Sequence, residues 1–226
     1  MKSIVAMCSL QGETVSLKTP VKIVDDVEIW LEDFSREMKQ TLADSLSQSL
    51  HNMDFMSVPQ QIVDLIEAIH FTEQVESIIT NKGDLRTLEK SLNTQLEKYT
   101  TFDITSLKNS ADATVTQLKL KSLIMDTIHS ISVVKQLIAA KVTQLADWTW
   151  QKQLRFYMNS KKECVIRMND AEFQYTYEYQ GNYSKLVHTP LTDKCYLTLT
   201  QAMAAGFGGN PLGPAGTGKS PIKMLY

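Results

Sequence analysis

Eight consecutive residues, Gly213-Pro214-Ala215-Gly216-Thr217-Gly218-Lys219-Ser220, have the form GxxxxGK[ST]. In a loop of this kind the backbone N–H groups wrap the phosphates of a nucleotide and the lysine reaches the β- and γ-phosphates. The terminal Ser or Thr hydroxyl ligates magnesium. The predicted chemistry is therefore binding of a nucleoside triphosphate together with Mg2+; hydrolysis requires further groups. A short stretch of six residues, Pro221 to Tyr226, comes after the loop.

The elements that must position this loop come before it. The chain has 226 residues, 43% of them hydrophobic, enough for a real core in one or two domains. A formal net charge of -2 gives no basic excess for a nucleic-acid backbone or an anionic membrane, so neither partner is favoured. Cys8, Cys164 and Cys195 are an odd number at unrelated spacings, which suits reduced thiols in a cytosolic compartment better than a disulfide framework. They form no CxxC pair and have no neighbouring histidines in sequence, so a zinc site is not expected. The apolar run Ile4 to Cys8 is short and is broken by Gln11, Gly12 and Glu13, so it reads as a strand and not as a signal peptide. No run of about 18 apolar residues exists to span a bilayer.

Helices are expected first, with sheet only near the two ends. Met1 to Leu17 reads as a small hairpin turning at Gln11-Gly12-Glu13, with Pro20 separating it from the first helix. Beyond Asp25 and Asp26, Val27, Trp30, Leu31, Phe34, Met38, Leu42 and Leu46 recur at helical spacing, with Glu32 and Arg36 four apart on the solvated side. Pro59 starts a second helix that buries Ile62, Leu65, Ile66, Ile69 and Val75 and closes at Gly83. Asp84 caps a third with Leu85, Leu88, Leu92, Leu96 and Tyr99 inward. Phe102 to Thr114 reads as a loop. A fourth helix is expected on Leu118, Leu120, Ile124, Ile128, Ile131, Val134 and Ile138, open to interruption at Ser130 or Ser132. Asp147 caps a fifth in which Trp150, Leu154 and Tyr157 share a face and Trp148 points elsewhere.

Glu163 to Met168 and the alternating Phe173, Tyr175, Tyr177 and Tyr179 then form a hairpin through Asn169-Asp170, at about residues 163–180. An aromatic face of this kind can stack single-stranded nucleic acid, but without a basic groove core packing is the expected role. From Leu186 a new unit begins, with Pro190 excluding helix at His188 and Thr189. Thr192 caps a helix to about Ala205 with Gly206 at its end, and Gly208 to Leu212 is the strand expected to enter the phosphate loop, though poor in β-formers. A lone His188 reads as a surface or packing residue, and Cys195 as a small buried hydrophobe.

The run KLVHTPLTDKCYLTLTQAM at residues 185–203, together with GFGGNPLGPAGTGKS at 206–220, resembles the start of the first AAA+ module of dynein heavy chains. WTWQKQLRFY at 148–157, AEFQYTYEYQGN at 171–182 and VEIWL at 27–31 resemble the end of the dynein linker. The resemblance covers essentially the whole chain up to Ser220, and its wording is most similar to the cytoplasmic dynein 2 class, whose motors drive retrograde intraflagellar transport.

That resemblance implies a mainly α fold: a helical linker bundle with a small β-hairpin over residues 1–185, then an incomplete P-loop AAA+ α/β start over 186–226. It implies ATP and Mg2+ as cofactors. Gly213, Gly216 and Gly218 would allow backbone approach, Lys219 would neutralise phosphate, Ser220 would hold magnesium, and Leu186, Val187, Thr189 and Pro190 would line the adenine. It implies dynein intermediate and light intermediate chains and microtubules as partners through a full heavy chain, in cytoplasm, cytoskeleton and cilium, with ATP binding coupled mechanically to linker movement. The acidic residue and helical run expected after Ser220 are replaced by Pro221 to Tyr226, and no Walker B pair, sensor or arginine finger occurs. These residues alone are therefore expected not to hydrolyse ATP. The expected reading is a piece of a motor heavy chain; the alternative is a non-catalytic helical interaction protein from a truncated transcript. An unrelated small P-loop enzyme is disfavoured, because the loop has no later sheet to support it.

Overall fold

A computed structural model describes residues 2–103, 110–182, 187–210 and 212, with side chains omitted at 110–112. The described residues form β1 (Ser3–Cys8), β2 (Thr14–Lys22), α1 (Val27–Ser49), α2 (Gln60–Thr80), α3 (Leu85–Thr100) and α4 (Ser110–Ala139). After these come α5 (Trp148–Gln151), β3 (Arg155–Met158), β4 (Cys164–Met168), β5 (Ala171–Gln174) and α6 (Pro190–Ala204). The fold is mainly α with two small antiparallel sheets, β1-β2 and β3-β4-β5.

The first hairpin forms as expected but runs on through Pro20 to Lys22. Between Ile4 and Ala6 the register jumps from Val21 to Ser16, so Pro20 sits in an irregular excursion where no ladder bond is asked of it. The N–H groups freed there are taken by α1: Lys18 N–H donates to Thr41 Oγ1 at 3.2 Å and Thr19 N–H to Glu37 Oε1 at 2.6 Å. In α1 itself Leu42 and Leu46 are fully buried, whereas Val27, Ile29 and Leu31 at its start are exposed. Arg36 pairs with Asp33 at 2.7 Å, not with Glu32.

Helix α2 is the centre of the bundle. Ile62, Leu65, Ile66, Ile69 and Val75 are buried as the spacing predicts, each contributing about 1.5 to 3 kcal/mol of apolar burial. Its end is a Schellman turn in which Gly83 N–H donates to Ile78 O and Lys82 N–H to Ile79 O. The left-handed residue there is Lys82, with φ 52°, and not the glycine. Asp84 caps α3 by accepting from Arg86 N–H.

Helix α4 begins at Ser110, so the end of the expected loop is helical, and it continues unbroken past Ser130 and Ser132. Its inner face also differs from expectation. Ile128 is exposed, and Thr116, Lys119, Ser122 and Thr127 are buried beside Leu120, Leu123, Ile131, Val134 and Leu137. Each polar group has a partner: Ser122 Oγ donates to the Asp64 carboxylate, and Thr127 Oγ1 to Leu123 O at 2.7 Å.

The fifth helix is a single turn. Asp147 spends its carboxylate on the Thr143 and Gln144 N–H groups upstream instead of capping α5, which holds its pKa below the ordinary carboxylate value. Tyr157 lies in strand β3, which pairs with β4 and makes a three-stranded sheet where a two-stranded one was expected; Leu154 is exposed. Trp150 is fully buried and donates Nε1–H to Glu76 Oε1, which also accepts from Tyr157 OH at 2.6 Å. Trp148 is exposed.

Regular pairing of β5 stops at Gln174, yet the alternation persists to Tyr179: Ala171, Phe173, Tyr175, Tyr177 and Tyr179 turn inward while the residues between them are exposed. The aromatic face is thus core. Two clusters result. One joins the first hairpin, α1, the start of α2 and the tyrosines; the other joins the end of α2, α3, the end of α4 and Trp150.

Candidate functional site: the approach to the phosphate loop

All eight residues of the loop, Gly213, Pro214, Ala215, Gly216, Thr217, Gly218, Lys219 and Ser220, and with them Leu186 on the expected adenine side, lie outside the described residues. The structure describes what leads to them. Val187 is exposed, Thr189 is the N-cap of α6, and Pro190 is its first residue. Helix α6 therefore starts two residues before the expected cap. Thr192 is not the cap but the third helical residue of a capping box: its N–H donates to Thr189 Oγ1 at 3.2 Å, and Thr189 N–H donates to Thr192 Oγ1 at 2.7 Å. Pro190 fits because a first-turn residue needs no N–H.

The far end of α6 is a second Schellman turn. Phe207 N–H donates to Ala202 O at 2.8 Å, and Gly206 takes φ 78°, as expected for the glycine there. No strand occurs among the described residues 207–210 and 212. Cys195 is half-buried, and all three cysteines are free thiols.

Two contacts seat α6. Thr200 Oγ1 lies 3.4 Å from Met168 Sδ, and Gln201 Nε2 donates to Met168 O at 2.8 Å, so the helix rests on the β4-β5 turn. Just before its start His188 stacks on His129 of α4, with ring centroids 3.9 Å apart.

Upstream, the chain leaving the tyrosine segment is fastened by a buried polar network that no sequence motif announces. Gln180 N–H donates to Gln61 Oε1, and Gln61 Nε2 donates to Glu178 O and Tyr175 OH. Asn182, fully buried, donates Nδ2–H to Gln60 Oε1 at 3.0 Å and to Glu13 Oε1 at 3.3 Å, and accepts from Ser9 Oγ. Glu13, at the tip of the first hairpin, also accepts from Gln60 N–H at 2.8 Å and from Tyr179 OH at 3.0 Å.

The countercharge is Lys119 of α4. Its Nζ lies 3.7 Å from Glu13 Oε1 and donates to the carbonyls of Phe55, Met56 and Val58, which close the turn before α2. Burial holds the Lys119 pKa below its ordinary value despite the nearby carboxylates. Gly181 is required here: its φ is 68°, and a Cβ would meet Ser9 Cβ at 2.6 Å. Among the described residues no helix is long and apolar enough to cross a membrane.

Known proteins share this arrangement of sequence. A family profile described as the hydrolytic ATP binding site of dynein motor region matches residues 175–224, and one described as dynein heavy chain, N-terminal region 2, matches residues 1–49. The chain is 52% identical over 236 residues to Cytoplasmic dynein 2 heavy chain 1 of Tripneustes gratilla and 51% identical over 233 residues to that of Homo sapiens. It is 37% identical over 251 residues to the cytoplasmic dynein heavy chain of Dictyostelium discoideum. Each alignment covers 99% of this chain and 5% of the relative, so the chain spans about one twentieth of the length of the curated relatives it matches. With two dynein profiles matched and half its residues shared with two of these proteins, the chain belongs to the dynein heavy chain family.

Proposed function

We propose that residues 213–220 bind ATP with Mg2+, and that the bundle before them is the part of the linker that moves when they do. The observation that carries this is the placement of a GxxxxGK[ST] sequence inside residues 175–224, which match a dynein ATP-binding profile. In this reading Gly213, Gly216 and Gly218 admit the phosphates, Lys219 neutralises their β and γ charge, and Ser220 ligates magnesium. Val187, Thr189 and Pro190, with Leu186, flank the adenine. The division falls near residue 185: helices and hairpin before it, ATP module after it.

The buried network supports a mechanical role for the joint, because it fixes residues 178–182 to α2 and the first hairpin at once. By the class of its relatives, a heavy chain carrying these residues works with intermediate and light intermediate chains on microtubules in retrograde intraflagellar transport, in cytoplasm and cilium. In this reading the 226 residues taken alone bind nucleotide without turnover, since no acidic residue stands among Pro221 to Tyr226, where the resemblance leads one to expect it.

Calorimetric titration of the 226-residue chain with ATP and magnesium tests this. Binding is expected in the unaltered chain and is expected to vanish in Lys219→Ala. Equal affinity in both would remove the site, and phosphate release abolished by Lys219→Ala would remove the claim of no turnover.

A further inference from the structure

Three side chains distant in sequence meet where α6 begins. His129 comes from α4, His188 from the connector, and Asp193 from the first turn of α6. One ligand atom of each lies within 4.8 Å of the other two. The two imidazoles stack at 3.9 Å between centroids and 21° between planes, and His188 Nδ1 is 3.9 Å from Asp193 Oδ1. We propose that these three residues bind a divalent transition-metal ion of the zinc type, and that the ion clamps the start of α6 to α4.

The donor set selects the metal. Two imidazole nitrogens and one carboxylate suit zinc, nickel or copper, whereas magnesium prefers oxygen ligands and keeps its waters. Three protein ligands leave a tetrahedral zinc one open position, filled by water. Zinc–nitrogen bonds of about 2.0 to 2.1 Å require ligand atoms to draw closer than they stand here. His188 is exposed and His129 and Asp193 are half-buried, so none of the three is sealed in the core.

The expectation of no zinc site rested on the cysteines, and none takes part. Sequence could not show this set, because His129 and His188 are brought together only by the packing of the connector on α4. The proposal does not depend on nucleotide binding. Two of its ligands stand at the start of α6 and the third on α4 of the bundle, so an ion here sets where α6 stands relative to α4.

Cobalt(II), added alone to the purified 226-residue chain, reports the site by its visible absorption. One equivalent is expected to bind with a tetrahedral spectrum lacking a thiolate charge-transfer band, and zinc is expected to displace it. His188→Ala, His129→Ala and Asp193→Asn should each weaken binding about tenfold or more, while Cys195→Ser should leave the spectrum unchanged. His188 lies in an exposed connector, so His188→Ala decides the matter even if His129→Ala perturbs the bundle. Absence of a visible spectrum, its survival in His188→Ala, or its loss in Cys195→Ser would each overturn the proposal.

Discussion

The bundle and the segment from Val187 to Leu212 treat their apolar side chains in opposite ways. In the bundle, Leu42, Leu46, Ile62, Ile66, Ile69, Leu137 and Trp150 are fully buried. In the later segment Val187, Leu191, Phe207 and Leu212 are each at least 64% exposed. The first region is held by tertiary burial; α6 is held by its own ends, a capping box at Thr189 and a glycine turn at Gly206, and rests on the β4-β5 turn through Met168. Damage to the bundle should therefore spread, and damage to α6 should stay local.

The largest break is expected from Lys119→Ala. It leaves Glu13 buried without its countercharge, a loss of about 3 to 5 kcal/mol by the behaviour of half-removed buried pairs. Urea unfolding monitored by circular dichroism should show one transition at a much lower midpoint; an unchanged midpoint would mean the network is not what fastens the bundle.

Alkaline pH should act on the same region. Burial pushes Tyr99, Tyr157 and Tyr177 up to about 12 from an ordinary 10.0, and Cys164 up to about 12 from 9.0. A raised folded pKa contributes stability that is complete below the unfolded value and is lost as pH climbs through the folded one. Lys119, held low, acts in the opposite sense up to its ordinary 10.5. Net loss should therefore set in above pH 10.5 and continue through about 12, with Tyr179, also raised by burial, extending it further. Denaturant midpoints that stay flat across that window would contradict the burial assigned to these hydroxyls.

A smaller and local effect is expected from Thr189→Ala. Removing the cap should cost about 1 kcal/mol, seen as faster amide exchange in the first turn of α6 with the global urea midpoint unmoved. A fall in that midpoint would erase the distinction between the two regions. The smallest effect belongs to Arg36→Ala. Its partner Asp33 is exposed, so the change in midpoint should correspond to less than about 0.5 kcal/mol.

The same contrast explains what could be read from sequence. Helices α1, α2 and α3 were legible because their apolar periodicity and end signals agree: Pro59 before α2, Asp84 before α3, and leucines at helical spacing between. Helix α4 was legible as a helix but not in its buried stripe, since Lys119 and Ser122 turn inward only because carbonyls and Asp64 wait for them from elsewhere. Strand β3 was missed because Leu154 and Tyr157 mimic helical spacing over too few residues to decide, and pairing with β4 settles it. Thr189 lost its place to Thr192 because both partners of a capping box carry the same side chain. The nucleotide loop was legible as a motif, while the Glu13, Gln61 and Asn182 network had no motif at all.

That network has a consequence for a chain under load. Traction applied beyond Asn182 arrives at bonds made by Gln61, Gln60 and Glu13, which sit on two different elements. They share the strain in parallel and must shear together, whereas the rungs of a hairpin tugged from its free end would unzip singly. Under the proposed linker role, rigidity at that anchorage would deliver displacement to the helices instead of dissipating it in peeling the sheet.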